Sequence, residues 1–345
     1  MKEIFVAYLY PSLWLIVLSI SMSLYGILDG FDLGVGVLYL FPKKDDYRRQ
    51  LLNAIGPVWD GNEVWLIVIF GGLFAGFPSV YANLLSLFYL PIWYLVFFLI
   101  FRVISIEFRS KSESQLWRGI WDIVFSLSSI MIIVFLGGFL GNIIAGFPID
   151  FSKEMIKEKV SYINFYSVLI GIFSVSLALL HGIIYAIIKV SEDFLLYLKK
   201  LILKIAFIFF GLYVFTFLYT LLTNSYIKKR MINCPLSWLL IVLSLFSLFM
   251  IMLYIKKEKF IMAFLYSSLN IFWLISNTFV LLFPNILRSS LDETKSLTII
   301  NASSGESTLK VLLMIVVIGL PFVLGYMFYI YRTFRGKVKI SSSGY

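Results

Sequence analysis

Asp29 and Asp32 stand one helical turn apart in DGFDLGVG, residues 29–36, at the far end of an apolar segment that starts at Tyr8. A charged residue at mid-bilayer costs about 2.5 to 3.5 kcal/mol, while each Leu, Ile or Phe returns only about 0.3 to 0.6. Acids at that depth predict a task, and carboxylates held near one cation suit proton uptake, because one member can accept a proton while another stays ionised. An ion site in a transporter fits the same residues. Asp60 and Glu63 in WDGNEVW repeat the i, i+3 spacing, Arg102 and Glu107 close the next apolar run, and Asp122 lies one turn inside the one after. The plainer alternative, strongest for Glu107 and Asp122, is interfacial charge that snorkels, caps helix ends and pairs with Arg102.

These residues must be carried by membrane helices. The chain is 61% hydrophobic and 14% charged, with a mean hydropathy of +0.94, too apolar for a water-facing surface. The expected fold class is an all-α polytopic membrane protein with about nine transmembrane helices. Apolar runs long enough to span recur at residues 8–40, 58–77, 79–106, 117–139, 165–189, 201–222, 238–255, 260–283 and 309–331. A short break at Phe77-Pro78 separates the second from the third. The connections at 148–164 and 284–308 are too short for a soluble core, so the chain reads as a single integral membrane domain: an N-terminal bundle at about 8–140, a C-terminal bundle plus last helix at about 165–331, and a tail at 332–345.

MKEIFVAYLY lacks a basic n-region and a small-residue cleavage site, so the first span is read as retained. Eighteen Lys and Arg fall on one side of the nine spans and ten on the other, with Arg102 inside a span completing the 29. The bias orients the N-terminus outside and the C-terminus in the cytoplasm of a prokaryotic cell. The net charge of +10 then reads as topology and contact with anionic lipid, not as nucleic-acid binding. In this orientation Asp29 lies about 27 Å and Asp32 about 31 Å along the helix from Pro11. All six acids and Arg102 then gather in the cytoplasmic half of the N-terminal bundle.

A single cysteine, Cys234, excludes an internal disulfide and a CxxC pair, and a single histidine, His181, leaves too few ligands for a haem or zinc centre held by this chain alone. No metal site is expected. His181, Asn142 and Asn270 read as hydrogen-bonded helix residues, Gly71-Gly72 and Gly137-Gly138 as close helix contacts, and NASSGESTL at 301–309 as a cap for the last helix.

The motifs DGFDLGVG (29–36), LLNAIGPVWDGNEVWL (51–66), GGLFAGFPSVYA (71–82), FRSKSES with WRGIWD (108–122), FPNILRSSL (283–291), SLTIINASSGESTL (296–309) and FRGKV (334–338) resemble, in order, subunit II of the cytochrome bd-type quinol oxidases. The resemblance implies two four-helix bundles plus one peripheral helix, paired with a haem-bearing subunit I in a pseudo-symmetric heterodimer. It also admits a small single-helix accessory subunit. It implies a terminal respiratory oxidase that oxidises membrane quinol and reduces O2 to water, with haem b and haem d in the partner subunit, none bound by this chain alone, and room here for a structural quinone or lipid. It assigns proton delivery to Asp60, with Asp29, Asp32, Arg102 and Asp122 as further polar positions; Glu63 is a candidate by its place in the same polar cluster. Arg288 departs from the pattern, which has proline there. A stand-alone proton- or cation-coupled transporter is the alternative, though matching Gly/Pro-interrupted helices are not evident.

Overall fold

The computed structural model describes residues 2–151 and 161–338, with the side chains of residues 2–7 left aside. Lys153, Lys157, Lys159 and Lys339 of the charge tally, and the tail beyond 338, lie outside the described residues. Eight helices are each long and apolar enough to cross a membrane, and a bent pair brings the number to nine. The N-terminal half comprises α1 (Lys2–Leu38), α2 (Asp45–Ile55), α3 (Trp59–Gly76), α4 (Pro78–Leu87), α5 (Tyr89–Phe108) and α6 (Gln115–Ala145). The remainder comprises α7 (Phe165–Lys189), α8 (Glu192–Thr223), α9 (Ser225–Asn233), α10 (Pro235–Lys256), α11 (Phe260–Leu282) and α12 (Glu306–Thr333). Helices α2 and α3 form the bent pair, at 52°.

The expected run 79–106 is not one span. Pro78 pushes Phe77 out of the helical region (φ −136°, ψ 66°), so α3 stops and Pro78 opens the ten-residue α4. Phe88 breaks the chain again before α5 begins at Tyr89. Two neighbouring spans run longer than their apolar cores suggest. Ser114 caps α6 by accepting from the Trp117 N–H, and acids Glu192 and Asp193 open α8 ahead of its apolar stretch.

Helices α1, α3, α5 and α6 pack as one bundle and α7, α8, α10 and α11 as a second, joined along α1 and α6 against α7 and α11. The seam depends on backbone-to-backbone contact. A Cβ on Gly34 of α1 would lie 2.6 Å from the Ala178 carbonyl carbon, and one on Gly182 of α7 would lie 2.5 Å from the Val35 nitrogen. A Cβ on Gly137 would likewise meet the Gly171 Cα at 3.0 Å, and one on Gly141 the Ser167 Cα at 2.9 Å. Small residues permit such approaches in lipid, where association rests on packing instead of water exclusion. Of the glycines expected at helix contacts, Gly137 and Gly72 fill that role; Gly138 makes only ordinary contact and Gly71 faces open space.

Helix α12 stands outside both bundles against α1 and α3, with Leu309 its sole buried residue. Its expected Ser/Thr cap is not formed. Gly305 precedes the helix without a side-chain cap, Glu306 pairs with Lys310 at 2.5 Å, and Ser304 instead turns to the end of α3, donating from its N–H to Gly76 O (2.9 Å) and from its hydroxyl to Ala75 O (2.6 Å). The carbonyls left open where α3 ends ahead of Pro78 take the Ser304 hydroxyl and N–H as donors. The same end of the bundle carries a small antiparallel hairpin, β1 (Asn285–Leu287) with β2 (Leu297–Thr298).

Gly182→Ala should lower stability by about 1–3 kcal/mol through forced separation of α1 and α7. Gly119→Ala, where the added methyl meets nothing within 4 Å, should be neutral. Thermal melting followed by size-exclusion chromatography in detergent separates the two.

Candidate functional site

The polar residues lie at the end of the bundle opposite the hairpin, and they form two groups instead of one. In the inner group, α1 presents Asp29 and Asp32, the first turn of α3 presents Asn62 and Glu63, and α5 presents Arg102. The Arg102 guanidinium is fully buried and its Nη1 lies 3.0 Å from Asp29 Oδ1 and 3.4 Å from Glu63 Oε2. Asp32 Oδ2 accepts from Asn62 Nδ2 at 2.7 Å, and Asn62 Oδ1 accepts from the Tyr331 hydroxyl of α12 at 2.9 Å. One guanidinium therefore pairs with two carboxylates drawn from two other helices, and a third, Asp32, held by Asn62, stands one turn from Asp29.

Hydrogen-bonding capacity is left over in this group. Both Asp29 oxygens, Asp32 Oδ1 and Arg102 Nε and Nη2 are buried and make no close, well-aligned hydrogen bond among the described residues, and the buried Tyr25 hydroxyl lies against Asp29. The Arg102–Asp29 contact is thus a close ion pair not aligned for a hydrogen bond. Most buried polar atoms in proteins are satisfied, so a concentration of free lone pairs and N–H groups around one ion pair sets this place apart.

The outer group is closed. Asp122 of α6 accepts from the Tyr39 hydroxyl (2.7 Å), Arg109 Nε (2.5 Å) and Arg48 Nη1 (2.7 Å). Arg109 Nη2 reaches Asp45 Oδ1 at 2.5 Å, and Arg118 Nη1 reaches Asp45 Oδ2 at 3.2 Å. Two carboxylates and three guanidinium groups here tie α2, the end of α5 and the start of α6 together. Glu107 is half-buried in the last turn of α5.

The six acids expected at one end of the bundle do lie there, but they do not all meet Arg102. Asp29 and Glu63 pair with it, with Asp32 one turn from Asp29, whereas Asp122 belongs to the outer group and Asp60 is exposed on the flank of α3. A helix turns 100° per residue, so three residues carry the side chain about 300° round. At the edge of a buried face that offset leaves Glu63 inside and Asp60 outside. Sequence reading passed over Asn62, Tyr331, Tyr39, Arg48 and Arg109 as partners. Asn62 was legible in hindsight, because it sits within WDGNEVW; Tyr331 was not, because it comes from the far end of the chain.

His181 lies in the seam between the bundles. Its Nε2 is 3.0 Å from Ile27 O, and a carbonyl only accepts, so Nε2 carries the proton and Nδ1 accepts from the Ser267 hydroxyl at 2.7 Å. The ring stacks on Phe264 with centroids 4.6 Å apart. With both nitrogens engaged, the residue does not fit an axial haem ligand. Asn142 and Asn270 bridge segments as expected, the first to Tyr162 O and Asn164, the second to Ser244. Between the bundles, beside Tyr25, a cavity of about 360 Å3 is lined mostly by apolar side chains, among them Leu136, Phe173 and Ile275.

The family model of cytochrome bd terminal oxidase subunit II matches residues 10–334. Among similar proteins, cytochrome bd ubiquinol oxidase subunit 2 of Bacillus subtilis is 32% identical, covering 94% of this chain and 96% of its own. Cytochrome bd-I ubiquinol oxidase subunit 2 of Escherichia coli is 27% identical, covering 94% of each. Among solved structures, a chain of the bd oxidase from Geobacillus thermodenitrificans superposes with a TM-score of 0.78 over 94% of this chain and 98% of its own, at 18% identity, a likeness of fold. A bundle of eight to nine spans, the ordered motifs and a family match over nearly the whole length lead to one assignment in place of a stand-alone transporter: the chain belongs to the cytochrome bd terminal oxidase subunit II family.

Proposed function

We propose that this chain is the haem-poor half of a bd-type respiratory oxidase that oxidises membrane quinol and reduces O2 to water, and that it brings protons from the cytoplasm toward the reaction. The observation that carries the reading is the inner group, where one buried arginine pairs with Asp29 and Glu63 across three helices and Asp32, held by Asn62, stands one turn from Asp29. Haem b and haem d are assigned to a partner, subunit I, since the one histidine of this chain has both nitrogens committed. Bound there, the haems supply the electron transfer and oxygen chemistry. This chain supplies proton handling and scaffold.

Three carboxylates near one guanidinium can take up one or two protons and approach neutrality, which suits a site that loads and unloads within hydrocarbon. The free lone pairs and N–H groups of Asp29, Asp32 and Arg102 are the capacity that a short chain of waters needs. Glu63, partly exposed, links the buried acids to Asp60 one turn away on the flank of α3. Asp60 there can pass protons sideways into subunit I. The outer group, with its carboxylates fully paired, is assigned a structural role. The apolar cavity beside Tyr25 suits the tail of a structural quinone or lipid, and the exposed α12 leaves room for a small accessory subunit.

Asp60→Asn should leave the complex assembled with unchanged haem spectra while quinol-driven oxygen uptake falls by roughly a hundredfold, the low end of what a positioned proton-transfer group contributes. Uptake near wild type would remove Asp60 from the route. Asp122→Asn should do the converse, costing on the order of 3 kcal/mol of stability by breaking a buried ion pair, with turnover per assembled complex unchanged. Yield and melting temperature of the purified complex check this. In the proposed orientation, a green fluorescent protein fused after Tyr345 fluoresces and alkaline phosphatase fused there is inactive; the reverse pattern would invert the topology.

A further inference from the structure

At the hairpin end, a second cavity of about 420 Å3 opens between the beginnings of α7 and α9 and the strand β1. Arg288, the residue after β1, lines it and is only 7% exposed. Its guanidinium lies 4.4 Å from the centroid of the Tyr226 ring, its Nη2 donates to Ala145 O, and its Nε is buried with no hydrogen-bond partner. No residue lining the cavity is acidic among those described. The carboxylate whose field reaches Arg288 is that of Glu293, which is exposed. Burial holds the guanidinium below its ordinary value, yet a guanidinium so far above neutrality stays charged.

The chain is built around this side chain. Gly146 adopts a left-handed φ of 81°, and a Cβ there would lie 2.6 Å from the Arg288 Cζ, so only glycine lets the guanidinium rest where it does. Two helix beginnings line the same space. Phe165 and Tyr166 open α7 behind the cap Asn164, and Ser225 and Tyr226 open α9 behind the cap Asn224. Each contributes the partial positive charge of a helix N-terminus. A buried cation with no carboxylate in ion-pair contact among the described residues, two helix starts and a polar cavity are together the electrostatics of an anion receptor. The run Lys228-Lys229-Arg230 extends the same sign along α9.

We propose that this cavity binds a phosphate-type oxyanion, with Arg288 as its charge partner and the first turns of α7 and α9 as amide donors. The oxyanion is either the headgroup of an anionic phospholipid or free inorganic phosphate; the recognition chemistry is shared. The site stands apart from the proton route and does not depend on it.

The test uses the intact complex with its partner subunit, as wild type, as Arg288→Gln and as Ser225→Asp. The last change places a carboxylate at the cavity mouth while keeping a residue type that suits the first turn of α9, so it is expected to fold even if Arg288→Gln does not. Thermal melting is recorded with inorganic phosphate against chloride at equal ionic strength, and in nanodiscs of phosphatidylglycerol against phosphatidylcholine. The wild type should melt higher with phosphate, with phosphatidylglycerol or with both, and apparent phosphate affinity should fall about tenfold or more in the variants that assemble. A response to phosphatidylglycerol alone identifies the headgroup, and a response to phosphate alone identifies the free anion. Equal melting in every condition, or a full shift retained by an assembled variant, would overturn the proposal.

Discussion

Hydrocarbon cannot solvate an ion, so every charge within this bundle must find its counterpart on another helix, and Arg102 is where that requirement bears hardest. Its ion pairs among the described residues come from other helices. It is held by Asp29 of α1 and Glu63 of α3, and Asp29 stands one turn from Asp32, which Asn62 of α3 engages in turn. Removing Arg102 would leave these buried carboxylates without a counter-charge. The relative heights of α1, α3 and α5 are thereby set by ion pairing, while their distances are set by apolar packing.

The second constraint is steric and acts across the seam. Gly34 lies five residues beyond Asp29 in the same motif and meets α7 backbone to backbone at Gly182. That contact brings the first bundle against the second and places His181, next to Gly182, within reach of Ile27 O. The motif thus carries acids for one side of α1 and glycines for another. Chemistry and assembly are written into the same eight residues, so substitutions in DGFDLGVG must be sorted by the helix face they alter.

Charge is used differently at the two ends of the bundle. Near Asp29 the inner group carries surplus carboxylate and free hydrogen-bonding atoms, whereas the outer group beside it is fully paired through Asp122, Arg109, Arg48 and Asp45. At the hairpin end Arg288 is buried with its Nε unpaired among the described residues. Paired charge holds helices in place. Surplus charge in a confined space is what a proton, an ion or an anionic headgroup can answer.

The sequence by itself determined the membrane class, the number of spans to within one, the family through its ordered motifs, and which acids and arginine lie in apolar surroundings, because hydrophobic length, charge in apolar surroundings and motif order are local properties. It also marked Arg288 as the departure from the pattern. Tertiary structure decided which of those charges meet. Asp60 and Glu63 share a spacing yet part at the edge of a buried face, Asp122 leaves Arg102 for Arg109 and Arg48, and Tyr331 joins Asn62 from 269 residues away. Spacing along one helix gives only relative angle. Which angle is buried depends on the neighbouring helix, and that neighbour is chosen by packing across the whole chain.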